Sequence, residues 1–92
     1  MIRSFEDKET ERLFFNGKSR RYSSIATVAR RKLQVLDNTR KLDDLREPAG
    51  NRLEVLKGDR KGQYSIRIND QYRICFAWRG SEPHGVEIVD YH

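Results

Sequence analysis

Ninety-two residues fall below the roughly 100–200 expected per domain. Such a chain supports one modest core, burying roughly 60–65% of its unfolded surface. The sequence therefore reads as one domain over residues 1–92. It is 36% hydrophobic and 36% charged, and its nine aromatics (four Tyr, four Phe, one Trp) argue against wholesale disorder. No apolar run approaches the roughly 18 residues of a membrane span, and Met1–Lys8 lacks the apolar stretch of a secretory leader. A lone cysteine, Cys75, excludes an internal disulfide and any multi-cysteine zinc site. The expectation is a small cytoplasmic protein with no membrane partner.

Nineteen Lys and Arg against 14 Asp and Glu give a net charge of +5, unevenly spread. Residues 1–46 hold 12 basic and 7 acidic residues, whereas residues 47–92 hold 7 of each. No acid interrupts Phe15 to Leu36, where Lys18, Arg20, Arg21, Arg30, Arg31 and Lys32 all fall. A basic face on a small domain points to a polyanion, usually nucleic acid, over a merely solvated helix surface.

In chain order, Ile2, Ser4 and Phe5 suggest a short strand. Glu6–Phe15 follows as a helix stopped by Asn16-Gly17. Ser23 or Ser24 can cap a second helix, in which Ile25, Val28, Ala29, Leu33 and Leu36 recur at spacings of three and four. Leu42 and Leu45 add a possible turn before Pro48-Ala49-Gly50 breaks the chain. From Arg52 the period becomes two. Arg52–Leu56 reads as a strand, and Lys57–Gly62 as a turn. Tyr64, Ile66 and Ile68 then alternate with Ser65 and Arg67, and Asn69-Asp70 makes the next turn. Tyr72, Ile74, Phe76 and Trp78 mark the third strand, Gly80–Gly85 a loop, and Val86–Val89 the last strand.

Helices followed by hairpin-linked strands make an α+β fold, with two N-terminal helices on a mostly antiparallel sheet of four to five strands. The face bearing Tyr72, Ile74, Phe76 and Trp78 should meet the helices. Ser65, Arg67, Gln71 and Arg73 should line the opposite, more open face.

Neither His84 nor His92 has metal-ligand spacing around it, no glycine-rich phosphate loop precedes a helix, and Cys75 sits mid-strand as a small core residue would. No metal and no cofactor is expected. What remains is arginine on the sheet and Asp90-Tyr91-His92 just beyond the last strand. A carboxylate, a phenol and an imidazole supply a base, a stacking platform and an acid. RNA cleavage through a 2′-hydroxyl needs such parts, with a cation on the phosphate. Alone, the tripeptide reads as a polar tail, and its placement beside a sheet bearing Arg67 and Arg73 makes the two readings even.

The runs Gly50–Arg60 and Gly62–Asn69, with Gln71-Tyr72-Arg73-Ile74, Val89-Asp90-Tyr91-His92 and Met1–Phe5, resemble the HigB-type plasmid-maintenance killer toxins of the RelE superfamily. The resemblance spans the whole chain and implies a RelE-like fold. It also implies a type II toxin that cleaves mRNA in the ribosomal A site, held inactive by a HigA-type antitoxin, with operator DNA reached only through that antitoxin. On the same ground, Arg73 corresponds to the arginine that stabilises the scissile phosphate. Asp90, Tyr91 and His92 correspond to the terminal catalytic cluster, and Lys57 and Arg60 to basic loop positions facing RNA. Glu54 departs from the pattern, standing where some relatives carry histidine. A carboxylate there either acts as the base or pairs with Arg73 or Arg67. Further RNA or ribosome contacts are expected from Arg67, Arg20, Arg21, Arg30, Arg31 and Lys32. The competing reading is a non-catalytic nucleic-acid-binding or interaction domain, for which Arg73 with Asp90-Tyr91-His92 would be unnecessary.

Overall fold

The computed structural model describes residues 1–91; His92 lies outside them. Helix α1 spans Lys8–Asn16. Asp7 starts it by accepting from Thr10 N at 3.1 Å and Thr10 Oγ1 at 2.6 Å. Gly17 ends it in the left-handed conformation, φ 74°, returning its N–H to Leu13 O at 2.9 Å. The positive φ is what favours glycine there; a Cβ would also meet the mobile end of the Arg30 side chain, Nη1 at 2.8 Å.

Helix α2 spans Ala26–Asn38 and buries Ala29, Leu33 and Leu36, as its apolar spacing predicts. Neither Ser23 nor Ser24 caps it through a side chain. A 3-10 turn at Ser23–Ile25 leads in instead, and Ile25 occupies the cap position. Leu42–Arg46 forms a further 3-10 turn that buries Leu45.

Four strands follow: β1 Glu54–Val55, β2 Gln63–Arg67, β3 Tyr72–Arg79 and β4 Glu82–Asp90. They form one antiparallel meander in the order β1-β2-β3-β4. Strand β1 is two residues long, shorter than the Arg52–Leu56 expected. The reverse holds at the other edge, where Gly80–Gly85 is not a loop. Gly80 and Ser81, both at positive φ (59° and 63°), make the tight turn of a hairpin, and β4 begins at Glu82. Gly85, φ 58°, then absorbs a bulge in which one extra β4 residue opposes β3 between Cys75 and Ala77.

Instead of a strand, the N-terminal segment makes a single parallel bridge, Phe5 to Val86. Its backbone nevertheless covers the β4 edge: Arg3 N donates to Pro83 O, Val86 N to Ser4 O and Glu6 N to Val86 O, at 2.9–3.0 Å. Farther along that edge, Ile88 N donates to Thr10 Oγ1 and Ile88 O accepts from Tyr22 Oη, both at 3.2 Å. The N-terminal segment, α1 and Tyr22 thus satisfy the edge that would otherwise invite another strand.

The core lies between the helices and one sheet face. Leu13, Leu33, Leu36, Ile66, Ile74, Phe76 and Val86 are fully buried there, with Tyr72 and Trp78 packed against them. The opposite sheet face carries Ser65, Arg67, Arg73 and Cys75.

Candidate active site

Alternation along β3 sends Arg73, Cys75, Ala77 and Arg79 to the face away from the helices. Arg73 is expected on an open face, and here the structure corrects the sequence. Its side chain is only 8% exposed, because the chain around Arg52 and Glu54 folds across it. Arg73 Nε donates to Ser65 Oγ at 2.7 Å. Its Nη2 donates to Arg52 O and to Ser65 O. Arg52 itself adopts φ 44°, a left-handed conformation uncommon for a non-glycine residue. Nothing in the sequence signals that Arg52 and Ser65 hold the arginine in place.

Nη1 is the edge of the guanidinium without a hydrogen bond among the described residues. Glu54 Oε1 lies 3.5 Å from it, and the Tyr91 ring lies 5.7 Å from Cζ, within cation–π range. Register also places Arg67 directly opposite Arg73 on β2. Two cations facing each other across a ladder repel. Each is offset by its own carboxylate, Glu54 for Arg73 and Asp70 for Arg67, the latter at 2.5 Å. The Arg67 hydrogen bond holds the Asp70 carboxyl below its ordinary range. Together with Arg52 and Asn69, these residues line a cleft of about 190 Å³. Such an arrangement offers a fixed, positively charged edge to a phosphate, with a carboxylate and an aromatic ring beside it.

Tyr91 is held at this cleft by its backbone, whose N–H donates to Gln71 O. Asp90 opposes Tyr72 in the ladder, which gives it the opposite parity to Arg73. Its Oδ2 accepts from Gln71 Nε2 at 3.1 Å. Gln71 thus ties down both residues of the tail. His92, the last residue of the expected catalytic group, lies outside the described residues.

Arg60 extends over the same face, Nη1 reaching Gln63 Oε1 at 3.1 Å and Nη2 reaching Glu87 Oε1 at 3.4 Å. Beneath lies Cys75, fully buried; burial pushes its thiol up, against a smaller downward pull from Arg60. Lys57 is exposed in the loop before β2.

The cations between Arg20 and Lys32 divide into two groups. Arg20, Arg21 and Arg31 are exposed, with Arg21 Cζ 6.0 Å from the Tyr22 ring. Arg30 and Lys32 are engaged internally. Arg30 donates to Phe14 O at 3.2 Å and Phe15 O at 3.3 Å, serving the C-terminal carbonyls of α1. Lys32 Nζ donates to Oδ1 of buried Asn51. Burial, with Arg31 and Arg67 nearby, lowers the Lys32 ammonium below its ordinary range.

A family model for HigB-like toxins, described as the RelE-like toxin of type II toxin-antitoxin system HigB, matches residues 3–92. Toxin HigB-1 of Vibrio cholerae serotype O1 is 45% identical over 80 residues, covering 85% of this chain and 84% of that protein. Endoribonuclease HigB of Proteus vulgaris is 29% identical over 93 residues, covering 100% of both. Among solved structures, the YoeB-YefM complex from Staphylococcus aureus contains a chain of similar fold. Its TM-score is 0.58 at 16% identity, with 100% of this chain and 98% of that one covered. The family match over nearly the whole length and the 45% identity to a HigB toxin agree with the RelE-like sheet and helices, and the chain belongs to the HigB-like toxins of type II toxin–antitoxin systems.

Proposed function

We propose that this toxin is a ribosome-dependent endoribonuclease that cuts mRNA in the A site by metal-independent attack of a 2′-hydroxyl. One observation carries the reading: Arg73, clamped by Ser65 and Arg52, turns its Nη1 edge toward a cleft shared with Arg67, Glu54 and Tyr91. That is the preorganised donor a phosphate gathering negative charge requires. The similarity to the Proteus protein, an endoribonuclease by name, supports it.

In this scheme Glu54 takes the 2′-hydroxyl proton, the 2′-oxygen bonds to phosphorus, and the bond to the 5′-oxygen breaks. The departing oxygen receives its proton from His92, assigned on the sequence alone. Products are a 2′,3′-cyclic phosphate and a free 5′-hydroxyl, with atoms and charge in balance. Tyr91 stacks on a base and flanks Arg73, while Asp90, tied to Gln71, positions the tail. Exposed Lys57, Arg20, Arg21 and Arg31, with Arg60 on the sheet face, contact ribosomal RNA. Proximity on the ribosome supplies the alignment that few base-reading groups here offer. A HigA-type antitoxin holds the toxin inactive in the cytoplasm and carries any contact with operator DNA.

The test is purified toxin with ribosomes carrying a defined mRNA, RNA ends being mapped in the presence of EDTA. Cyclic-phosphate ends in the A-site codon, absent when the same RNA is naked, are expected. Equal cutting of naked RNA would overturn ribosome dependence. No cutting by folded protein would favour a non-catalytic interaction domain.

A further inference from the structure

The sheet face that holds Arg73 continues along β3 to a second cleft, of about 370 Å³, that the proposed reaction leaves unused. Its lining includes Lys61, Gln63, Arg79, His84 and Glu6. Ala77 forms its floor, flanked by Gln63 on β2 and His84 on β4 in direct register. Arg79 shares the parity of Arg73, so both cations rise from one face of one strand.

Among the described residues neither Lys61 nor Arg79 has an ion-pair partner, and both are exposed. That separates them from Arg60, Arg67 and Arg73, each of which has a carboxylate. Gln63 gives its oxygen to Arg60, which leaves its amide N–H groups as donors. Glu6 is the one carboxylate of the cleft, packed beside Gly85, where a Cβ would stand 3.1 Å from its Oε1. Two basic side chains outnumber it, and the balance favours an anion.

We infer that this cleft is a second phosphate subsite, in which Lys61 and Arg79 hold an RNA phosphodiester flanking the one at Arg73, with His84 and Gln63 as hydrogen-bonding neighbours. The inference rests on the proposed function and extends its substrate to several nucleotides of single strand. Arg73 and Ala77 are four residues apart, about 13 Å along a strand. At about 3.4 Å per stacked nucleotide, the two sites lie within roughly four nucleotides, fewer if the RNA is extended. A phosphate rather than a protein carboxylate is the favoured ligand because the cleft shares a face and direction with the scissile site.

The experiment uses ribosomes programmed with synthetic mRNAs in which one phosphodiester at a time is an uncharged methylphosphonate, scanned four linkages either side of the cut. Alongside it, fluorescence anisotropy measures binding of a non-cleavable 2′-O-methyl oligonucleotide to the toxin alone. Wild type should show one sensitive linkage besides the scissile one, and Lys61→Ala/Arg79→Ala should abolish that second sensitivity. The double variant should also bind the oligonucleotide about tenfold more weakly, with a salt slope reduced by about 1, whereas Glu6→Gln should bind more tightly. If wild type cuts nothing yet the double variant still loses oligonucleotide binding, the subsite stands and the nuclease reading falls. Unchanged linkage sensitivity and unchanged oligonucleotide binding would overturn the subsite. If antitoxin binding, measured in parallel, is then the only property the double variant loses, the cleft is a protein-binding surface.

Discussion

Glu54 Oε1 stands 3.5 Å from Arg73 Nη1, against the edge of the guanidinium that the surrounding backbone leaves without a hydrogen bond. The carboxylate is half exposed, 51%, while the arginine is buried and clamped, so Glu54 is the partner that can be displaced without disturbing the core. In the proposed reaction a phosphate would take that place at Arg73, and Glu54, once displaced, would lie beside the reacting group.

Both roles are separable by Glu54→Gln, which keeps the shape and removes the charge. Binding of a non-cleavable RNA should tighten by up to about fivefold, the scale of a pair worth at most about 1 kcal/mol. Cleavage on the ribosome should slow by about 10²-fold as the base is lost. Tighter binding with undiminished cleavage would leave Glu54 as a restraint on Arg73 alone.

Arg73 demands two variants, because its guanidinium serves the fold as well as the site. Arg73→Ala strands the Ser65 and Arg52 acceptors and should cost about 2–4 kcal/mol. For a domain this size that lowers Tm by roughly 10–25 °C. Arg73→Lys keeps the charge but not the fork, and should cost less stability while still lowering cleavage by about 10²–10³. Thermal melts beside single-turnover cleavage check both. Full activity in a folded Arg73→Lys protein would move the phosphate site elsewhere.

The helix and strand periods were legible because burial imposes them: Leu33 and Leu36 on α2, Ile74 and Phe76 on β3. The start of β4 was not, because Pro83 and Gly85 look like loop residues. Proline has no N–H to give a ladder, yet β4 is an edge strand that tolerates Pro83, and Gly85 serves a bulge. Alternation assigned Arg73 and Ser65 to the correct face without revealing what covers it. The covering segment, Arg52 to Glu54, lies remote in sequence and reaches Arg73 through a backbone carbonyl, which leaves no mark in residue type. For the same reason the run of cations from Arg20 to Lys32 read as one RNA-facing group, although Arg30 and Lys32 turn to internal partners.

Cys75 gives a pH signature. Burial raises its thiol from the ordinary 9.0, so the unfolded chain ionises first and the folded chain keeps the proton longer. The stabilisation is present in full below the unfolded value and is lost as pH rises through the folded one. Urea unfolding of wild type and Cys75→Ala between pH 7 and about 10 isolates the effect from other titrating groups. Wild type should lose more stability than the variant above pH 9, and native protein should resist iodoacetamide at pH 8. Parallel pH profiles, or fast alkylation of folded protein, would place the thiol at the surface.

The two kinds of cation between Arg20 and Lys32 make the last prediction. Arg30 caps the C-terminal carbonyls of α1, and Lys32 holds Asn51, whose Nδ2 donates to Leu45 O and Glu47 O at 3.1 Å. Removing either should therefore act on the fold. Arg30→Ala and Lys32→Ala should each cost about 1 kcal/mol, a Tm decrease of roughly 4–8 °C. The salt dependence of ribosome binding should be unchanged in both. Arg20 and Arg31 have no internal hydrogen-bond partner among the described residues and stand exposed. Arg20→Ala/Arg31→Ala should leave Tm within about 2 °C and make the plot of log affinity against log salt shallower. The slope should fall by about 0.7–0.9 for each RNA phosphate that the variant no longer neutralises. Melting curves and ribosome binding at three salt concentrations on the same four proteins decide the matter. If Arg30→Ala flattens the salt slope without moving Tm, its guanidinium leaves the α1 carbonyls for RNA, and the division between structural and RNA-facing cations fails.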